Sequence, residues 1–474
     1  MRKITFIIVL LAFTMASCTK NFDADRNNPN GVEDATPASF LAPVLYGVSS
    51  ADINRAQLMG NELVQYTVLK GDVPEFHRYV IHASDATYFW QQYYRYAYNV
   101  QDMYRRAVAL GDNNYVAVAL TLRAWIFSHL TDMFGDVPYS DALKGDSLLL
   151  PTFDRQQDIY PSLLAGLDSA ADLFATSGTL DFNGPVVDIL YAGDVNKWRK
   201  FCNSLRLRLY LRVSKRPEMN SAAKIATIAA NSTKYPIFTS TAEEANLNYT
   251  NITPFFNPFF TTRNLDFSSS RAPSEFILDA LASRNDPRLP VWYLQTGGKY
   301  IGVPSAYLRS MDGVIFATAT SALNTTLQQT PRLGQIMSYA EVEFILAEAA
   351  LNGWVSGDPA TYYNNGIQAS MQHWGVSLPA DYLAQPNVAF DGQLSTILLQ
   401  KYLAQFFVGF ESWFEFRRTG LPVLPVGPGA QNDGKMPTRL PYPIECQNLN
   451  SKNYQAVVQR IGGDAINIPG WWEK

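Results

Sequence analysis

Residues 338–375 read SYAEVEFILAEAALNGWVSGDPATYYNNGIQASMQHWG, and this stretch decides the fold class. Ser338 followed three positions on by Glu341 is a capping box, in which each side chain satisfies a free amide at a helix start. An apolar helix runs from there to Asn352, and Gly353 closes it. Asp358-Pro359 opens a second helix, because Asp caps and Pro is tolerated at the first helical position; it ends at Gly375. A loop of about five residues joins the two, so they must lie antiparallel as an αα-hairpin. Ala347, Ala349, Ala350, Gly366 and Ala369 are small enough for the helices to approach closely, as tetratricopeptide-like hairpins require. The letters show no clean repeat of about 34 residues, so that architecture rests on helix pairing rather than on self-similarity.

The same pattern extends outward. Thr36-Pro37 starts a first helix, and a second is expected over Ser50–Leu69. A third, from Ser84 or Asp85 to Leu110, carries an aromatic stripe and stops at Gly111. Tyr115–Phe134 is apolar on most of its circumference and belongs in the core, with Gly135 after it. Asp154 with Gln157 offers a cap for a helix to about Thr176, and Asp194 for one to Val213. A long amphipathic helix is expected over Gly392–Arg418. Between the helical blocks, Tyr235–Arg332 has few helix signals apart from Ser274–Ser283, and holds β-prone pieces such as Pro290–Leu294. The expected class is therefore mainly α: helical hairpins bearing a long irregular insert at about 235–332, with few short strands. Irregular segments on a rigid scaffold commonly carry function.

The N-terminus says where the chain works. Arg2 and Lys3 precede an apolar run, Ile4–Phe13, and Met15-Ala16-Ser17-Cys18 ends it with small residues before a cysteine. The run is about ten residues where a bilayer needs roughly twenty, so it reads as a signal peptide. The cysteine after the small pair marks a bacterial lipoprotein signal: residues 1–17 are removed and Cys18 is lipidated. Residues 18–37 are polar and rich in Asn, Asp and Pro, a tether to a single helical domain over 38–474. The acids near Asp23 have the wrong spacing for a calcium loop.

Composition narrows the function. The chain of 474 residues is 47% hydrophobic and 17% charged, which describes a folded protein with a substantial core. Loss of residues 1–17 takes Arg2 and Lys3 with it and moves the formal charge from −4 to −6, no footprint for nucleic acid. Beyond Cys18 only Cys202 and Cys446 remain, and Cys202 reads as a buried free thiol inside a helix.

Enzyme templates fail. There is no phosphate loop, dinucleotide fingerprint or Gly-x-Ser-x-Gly elbow, and His77, His82, His129 and His373 form no metal motif. No cofactor or metal is expected. A glycosidase needs two carboxylates across a cleft; Glu341, Glu343, Glu348, Glu411 and Glu415 supply the count, but Glu341 reads first as a cap and Glu415 as a partner of Arg418. Arg199, Lys200, Arg206, Arg208 and Arg212 read first as a solvated or ion-paired face. What stands out is aromatic rings in loops: Phe76 to Tyr79, Phe255 to Phe260, Trp292-Tyr293, Tyr300 and Tyr307. Such rings stack on sugars or anchor peptides, and they fill cores and interfaces as readily.

The chain resembles the SusD/RagB-like family of nutrient-binding outer-membrane lipoproteins of Bacteroidetes. The resemblance is carried by Cys18 with Asn28-Pro29-Asn30, by Leu122-Arg123-Ala124 leading to Leu130–Tyr139 (LTDMFGDVPY), by Trp198-Arg199-Lys200-Phe201 with Asn203–Arg208, and by Asn285-Asp286-Pro287-Arg288-Leu289. Tyr339–Phe344, Ala347–Ala350, Gln400-Lys401-Tyr402, Trp413–Gly420 (WFEFRRTG) and Tyr442-Pro443 complete it, across nearly the whole mature chain. The resemblance implies tetratricopeptide-like hairpins with a loop-rich ligand face. It also implies a non-catalytic surface lipoprotein that sits as a lid on a SusC-like TonB-dependent transporter and captures glycans or, as in the RagB branch, peptides. From loop placement and composition, Phe76, Tyr79, Phe259, Trp292, Tyr300 and Tyr307 are the expected stacking rings, and His77, Asn257, Arg263 and Arg309 the polar contacts. The rival readings are a surface glycoside hydrolase and a helical-repeat scaffold that binds only protein.

Overall fold

Apolar periodicity and local caps dictate most of the helices in the computed structural model, which describes residues 35–71, 73–174, 178–180 and 188–474. The readings of 1–17, of Cys18 and of 18–34 in the tether lie outside those residues. A 3-10 turn, Pro37–Phe40, leads into α1 (Leu41–Arg55), and β1 (Thr67–Leu69) follows. Then come α2 (Ala83–Leu110), α3 (Asn113–Phe134), α4 (Gln156–Leu173), α5 (Val195–Arg212) and α6 (Ser221–Ala229). Each of α2 to α5 packs on its successor, so the chain folds into consecutive antiparallel neighbours, α2 and α3 joined by only Gly111 and Asp112. Asp112 caps α3 through the Tyr115 amide at 3.0 Å, and Asp194 caps α5 through the Asn196 and Lys197 amides. In α3 nearly every side chain from Tyr115 to Phe134 is buried, each large one contributing about 1.5–3 kcal/mol.

The irregular region is pinned by two-stranded pairings. β2 (Ala245–Leu247) pairs with β6 (Gly334–Met337), β1 with β3 (Arg271–Pro273), and β4 (Tyr293–Leu294) with β5 (Ala322–Leu323), all antiparallel. The helix α7 (Glu275–Ala282) lies within it. The hairpin of the opening stretch is α8 (Tyr339–Leu351) against α9 (Pro359–Trp374). Gly366 is what lets them meet: a Cβ there would lie 2.8 Å from the Phe344 ring. The remaining helices of eight or more residues are α10 (Leu394–Ala404), α11 (Glu411–Thr419) and α12 (Ser451–Ile461), with shorter helical pieces at Asp312–Ala317 and Ile444–Leu449. Among the described residues no helix is long and apolar enough to cross a membrane.

Buried charges tie the blocks together. Arg208 of α5 grips Glu341 of α8, Arg212 of α5 pairs with Asp132 and Glu411, and Arg418 of α11 holds Glu348 of α8 at 2.7 and 2.6 Å. Of the basic set on α5, Arg208 and Arg212 are thus ion-paired inside the protein, Lys200 and Arg206 pair with Glu243 and Asp168 nearer the surface, and Arg199 donates to the carbonyls of Thr233 and Lys234. His129 Nε2 bonds Glu411 at 3.1 Å within the same network, and Cys202 and Cys446 are buried free thiols.

Five expectations are corrected. No helix spans Ser50–Leu69: a wide turn at Ala56–Gly60 and the short piece Asn61–Leu63 end at Gln65, whose φ is +63°, and Thr67–Leu69 is strand. Asp154 does not cap α4 but accepts from the Tyr139 and Ser140 amides, while Asp136 accepts from the Gln156 amide at 2.9 Å. Ser338 does accept from the Glu341 amide, but the Glu341 carboxylate is taken by Arg208, so the capping box is half formed. The helix expected over Gly392–Arg418 breaks between α10 and α11, where Phe407 and Gly409 adopt φ of +63° and +51°. Pro290–Leu294 is also only half strand, since Leu289–Trp292 makes one helical turn.

Candidate functional site

Three loops converge into a rim: residues 70–80 after β1, 301–318 in the irregular region, and 425–434 after α11. Arg78 wires them together. It is fully buried, donates Nε to the Tyr307 carbonyl at 2.8 Å and Nη1 to Glu75 at 3.0 Å, and pairs with Asp312. Its own carbonyl accepts from the Gln431 amide at 2.8 Å, which ties in the third loop. Gly427 and Gly429 are required there, because a Cβ on either would lie 2.2 Å from a carbonyl oxygen of Ser305 or Tyr307. The His77 Nδ1 accepts from the Ala306 amide at 3.0 Å. Burial and the neighbouring Arg78 charge push the His77 pKa down to about 3, so the ring is a neutral structural acceptor.

Under this wiring lies Glu62, buried and 3.4 Å from Arg271, its carboxylate oxygens without a hydrogen-bond partner among the described residues. Burial outweighs Arg271 and pushes its pKa up to about 7. Above the wiring the rim turns apolar. Leu308, Met311, Val314, Phe316, Val73 and Val426 are all exposed, Phe316 by 64% and Val73 by 72%. Isolated exposed apolar side chains need no explanation, but a group of them on interlocked loops makes this rim the candidate binding surface.

The expected contact residues divide by burial. Phe76, His77, Tyr79 and Tyr307 are buried beneath the rim, with the His77 and Tyr307 rings stacked at 5.0 Å and the Tyr307 hydroxyl donating to the Leu69 carbonyl. Asn257 is buried and donates to the carbonyls of Leu327 and Thr330, closing the 251–260 loop. Phe259 packs on Phe267 at 4.9 Å, and Trp292 stacks on Phe406 at 4.3 Å. In this conformation these seven anchor loops from below and do not reach solvent; the gain from burying a ring outweighs leaving it outside. Tyr300 is half-buried, while Arg263 and Arg309 are exposed and paired with Asp266 and Glu75. Reading the sequence missed the outward rings: Phe316, and Phe260, 38% exposed and 5.2 Å from Phe256. Phe260 lies in the aromatic run Phe255–Phe260, next to Phe259. Phe316 has a signal in Val314-Ile315-Phe316, an apolar triplet in a polar loop.

Four of the five candidate carboxylates are locked in ion pairs, while Glu343 is buried, accepts from the Asn365 side-chain amide at 3.1 Å and has its pKa raised by burial. Glu341, Glu348, Glu411 and Glu415 are buried and held by Arg208, Arg418, Arg212 and Lys401. Burial opposes ionisation of Glu415, but Arg418 and Lys401 prevail and hold its pKa down at about 2. Among the described residues no group of His, Cys, Asp and Glu is placed to hold a metal.

A family described as starch-binding and associating with the outer membrane matches residues 29–443. Among solved structures, a SusD homolog from Bacteroides fragilis is 28% identical and superposes with a TM-score of 0.78, covering 93% of this chain and 99% of that one. A chitin-binding protein is 27% identical with a TM-score of 0.78, over 92% of this chain and all of that one (100%). A chitin-binding SusD homolog from Flavobacterium johnsoniae, 22% identical, shares the fold with a TM-score of 0.81 over 92% and 98% of the two chains. A SusD-like protein of Formosa agariphila is 24% identical over 202 residues, which spans 36% of this chain and only 37% of that protein.

Proposed function

The chain belongs to the SusD-like family of starch-binding, outer-membrane-associated proteins, and from that membership we propose that it is a non-catalytic surface lipoprotein that captures nutrient oligomers. Glycans are the preferred cargo and peptides the second. In this reading, residues 1–17 are removed, Cys18 carries the lipid, and 18–37 tether the body. A SusC-like TonB-dependent transporter receives the cargo, with this chain as its lid. No cofactor or metal is required.

One observation supports capture above all: exposed apolar side chains crown a rim whose loops are fixed from below by Arg78. A surface held rigid before binding loses little entropy when a ligand arrives. Phe316, Met311 and Tyr300 are assigned to ring and chain contacts with ligand, and Arg309 and Arg263 to hydroxyl or carboxylate groups. Phe256 and Phe260 form a further platform. Phe76, His77, Tyr79, Asn257, Phe259, Trp292 and Tyr307 position these contacts. The test is a screen of glycan and peptide arrays with the mature protein, followed by titration and assay of the bound oligomer for cleavage. Capture predicts retention of an oligomer without turnover; release of shortened products would overturn the non-catalytic reading, and retention of nothing would overturn capture.

A further inference from the structure

Away from the rim, a cavity of about 430 Å³ opens between the end of α3, the start of α4 and the C-terminal segment. That volume is within the range of about 300–1,000 Å³ common for small-molecule sites. Its walls carry six cationic side chains, Arg155, Arg216, Arg417, Arg439, Arg460 and Lys474, against a single acid, Asp136. Three of the six are committed. Arg460 pairs with Asp136 at 2.7 Å, Arg439 with Asp464 at 2.6 Å, and Arg417 with Glu473 through two bonds of 2.9 and 2.8 Å.

The other three are not. Among the described residues Arg155 and Lys474 have no ion-pair partner. Arg216 donates Nη1 to the Lys474 main-chain oxygen at 3.2 Å, but its Nε is buried without a hydrogen bond, 3.6 Å from a Glu218 carboxylate that is itself more than half exposed. A buried donor left without an acceptor costs free energy, which an incoming anion would recover. Trp471 stands beside these charges, half-buried, with the Arg216 guanidinium 4.9 Å from its ring centre and its amide bonded to Gln156 at 2.7 Å. The same ring walls an adjoining cavity of about 510 Å³, whose other walls include Pro161, Leu164, Tyr210 and Met219 and the charged Asp168, Glu218 and Lys224, so the anion is assigned to the first cavity and only the sugar body to this one.

We propose that this double cavity is a second subsite that takes an acidic sugar: a carboxylate or sulfate against Arg155, Arg216 and Lys474, with the sugar ring laid on Trp471. The proposal rests on the reading that the chain binds oligosaccharides. Guanidinium groups bind carboxylate and sulfate oxygens through paired, charge-assisted hydrogen bonds, and partial enclosure strengthens them. Neutral sugars gain nothing from Arg155 and Lys474, which have no ion-pair partner among the described residues, or from Arg216, ion-paired only with the half-exposed Glu218 at 3.6 Å. The site therefore selects charge where the rim selects apolar faces.

The test titrates the mature protein with three probes: hexagalacturonate, a sulfated chondroitin hexasaccharide and neutral chitohexaose, at about 0.01 M and about 0.15 M salt. At least one acidic probe is expected to bind, more weakly at the higher salt, and which of them binds tells carboxylate from sulfate. Arg155→Glu, which breaks no contact in the protein, should weaken that binding about tenfold or more, and Trp471→Ala likewise, while chitohexaose affinity stays unchanged. Acidic probes that bind no better than chitohexaose, or bind Arg155→Glu undiminished, overturn the subsite and leave rim capture standing. If none of the three binds, the subsite is likewise overturned, and rim capture is decided separately by the array screen.

Discussion

Arg208 and Glu341 face each other across α5 and α8 in a two-pronged ion pair, Nε to Oε1 at 2.7 Å and Nη2 to Oε2 at 2.5 Å, both almost wholly excluded from water. The pair joins the first run of hairpins to the second, which makes it the electrostatic hinge pin of the helical body. Removing one member strands the other charge, and such breaks cost about 3–5 kcal/mol. Glu341→Ala is therefore expected to lower the midpoint of denaturant unfolding by several kcal/mol equivalents, far beyond the cost of a lost helix cap, about 1 kcal/mol. A loss no larger than a cap would show that Glu411, 3.3 Å from Arg208, takes over the charge.

Gly366→Ala tests the close approach of α8 and α9. Alanine gains about 1 kcal/mol of helix propensity over glycine. The new methyl would lie 2.8 Å from two carbons of the buried Phe344 ring, and overpacking of that kind costs about 1–3 kcal/mol. A net loss in Tm is expected, relieved when Phe344→Leu is combined with it. An unchanged or raised Tm in the single variant would mean the ring moves aside freely.

Glu62 sets a pH dependence whose sign follows from its raised pKa. The folded protein holds this proton up to about pH 7, whereas the unfolded chain releases it near 4.5. The contribution is fully present below pH 4.5 and is lost as pH rises toward 7, amounting to about 3 kcal/mol in all. Glu62→Gln keeps the shape and removes the titration, so its stability relative to the parent should grow between pH 5 and pH 7. Melting curves at several pH values check this, and parallel profiles for the two proteins would refute it.

What the sequence made legible was local. Gly111 and Gly375 end their helices in the left-handed conformation, and Asp194 caps α5, because each acts within a turn of its own position. Where a distant partner competes, local logic fails. Glu341 leaves its cap for Arg208, 133 positions away, and Asp136 displaces Asp154 from the start of α4. The break between α10 and α11 needs Phe407 at positive φ, which no propensity favours. The orientation of side chains in the rim was the least legible, since loops have no period to say which side of the chain faces out. Phe259 and Tyr307 point in while their neighbours Phe260 and Leu308 point out, and composition alone treats each pair as equal.

That inversion separates two kinds of variant at the rim. Removing a buried ring such as Tyr307, which stacks on His77 and carries Arg78 at 4.5 Å over its face, should cost about 3 kcal/mol or more of stability. It should also loosen the rim, because the Tyr307 hydroxyl donates to the Leu69 and Gly71 carbonyls. Phe316→Ala with Met311→Ala deletes only exposed surface, so Tm should move by less than about 0.5 kcal/mol equivalent while affinity for a captured oligomer falls. A ligand that binds the Phe316 and Met311 double variant as tightly as the parent would move the binding face elsewhere. Full stability in Tyr307→Ala would mean that the rim does not depend on the packing beneath it, and the argument from rigidity would then fail with it.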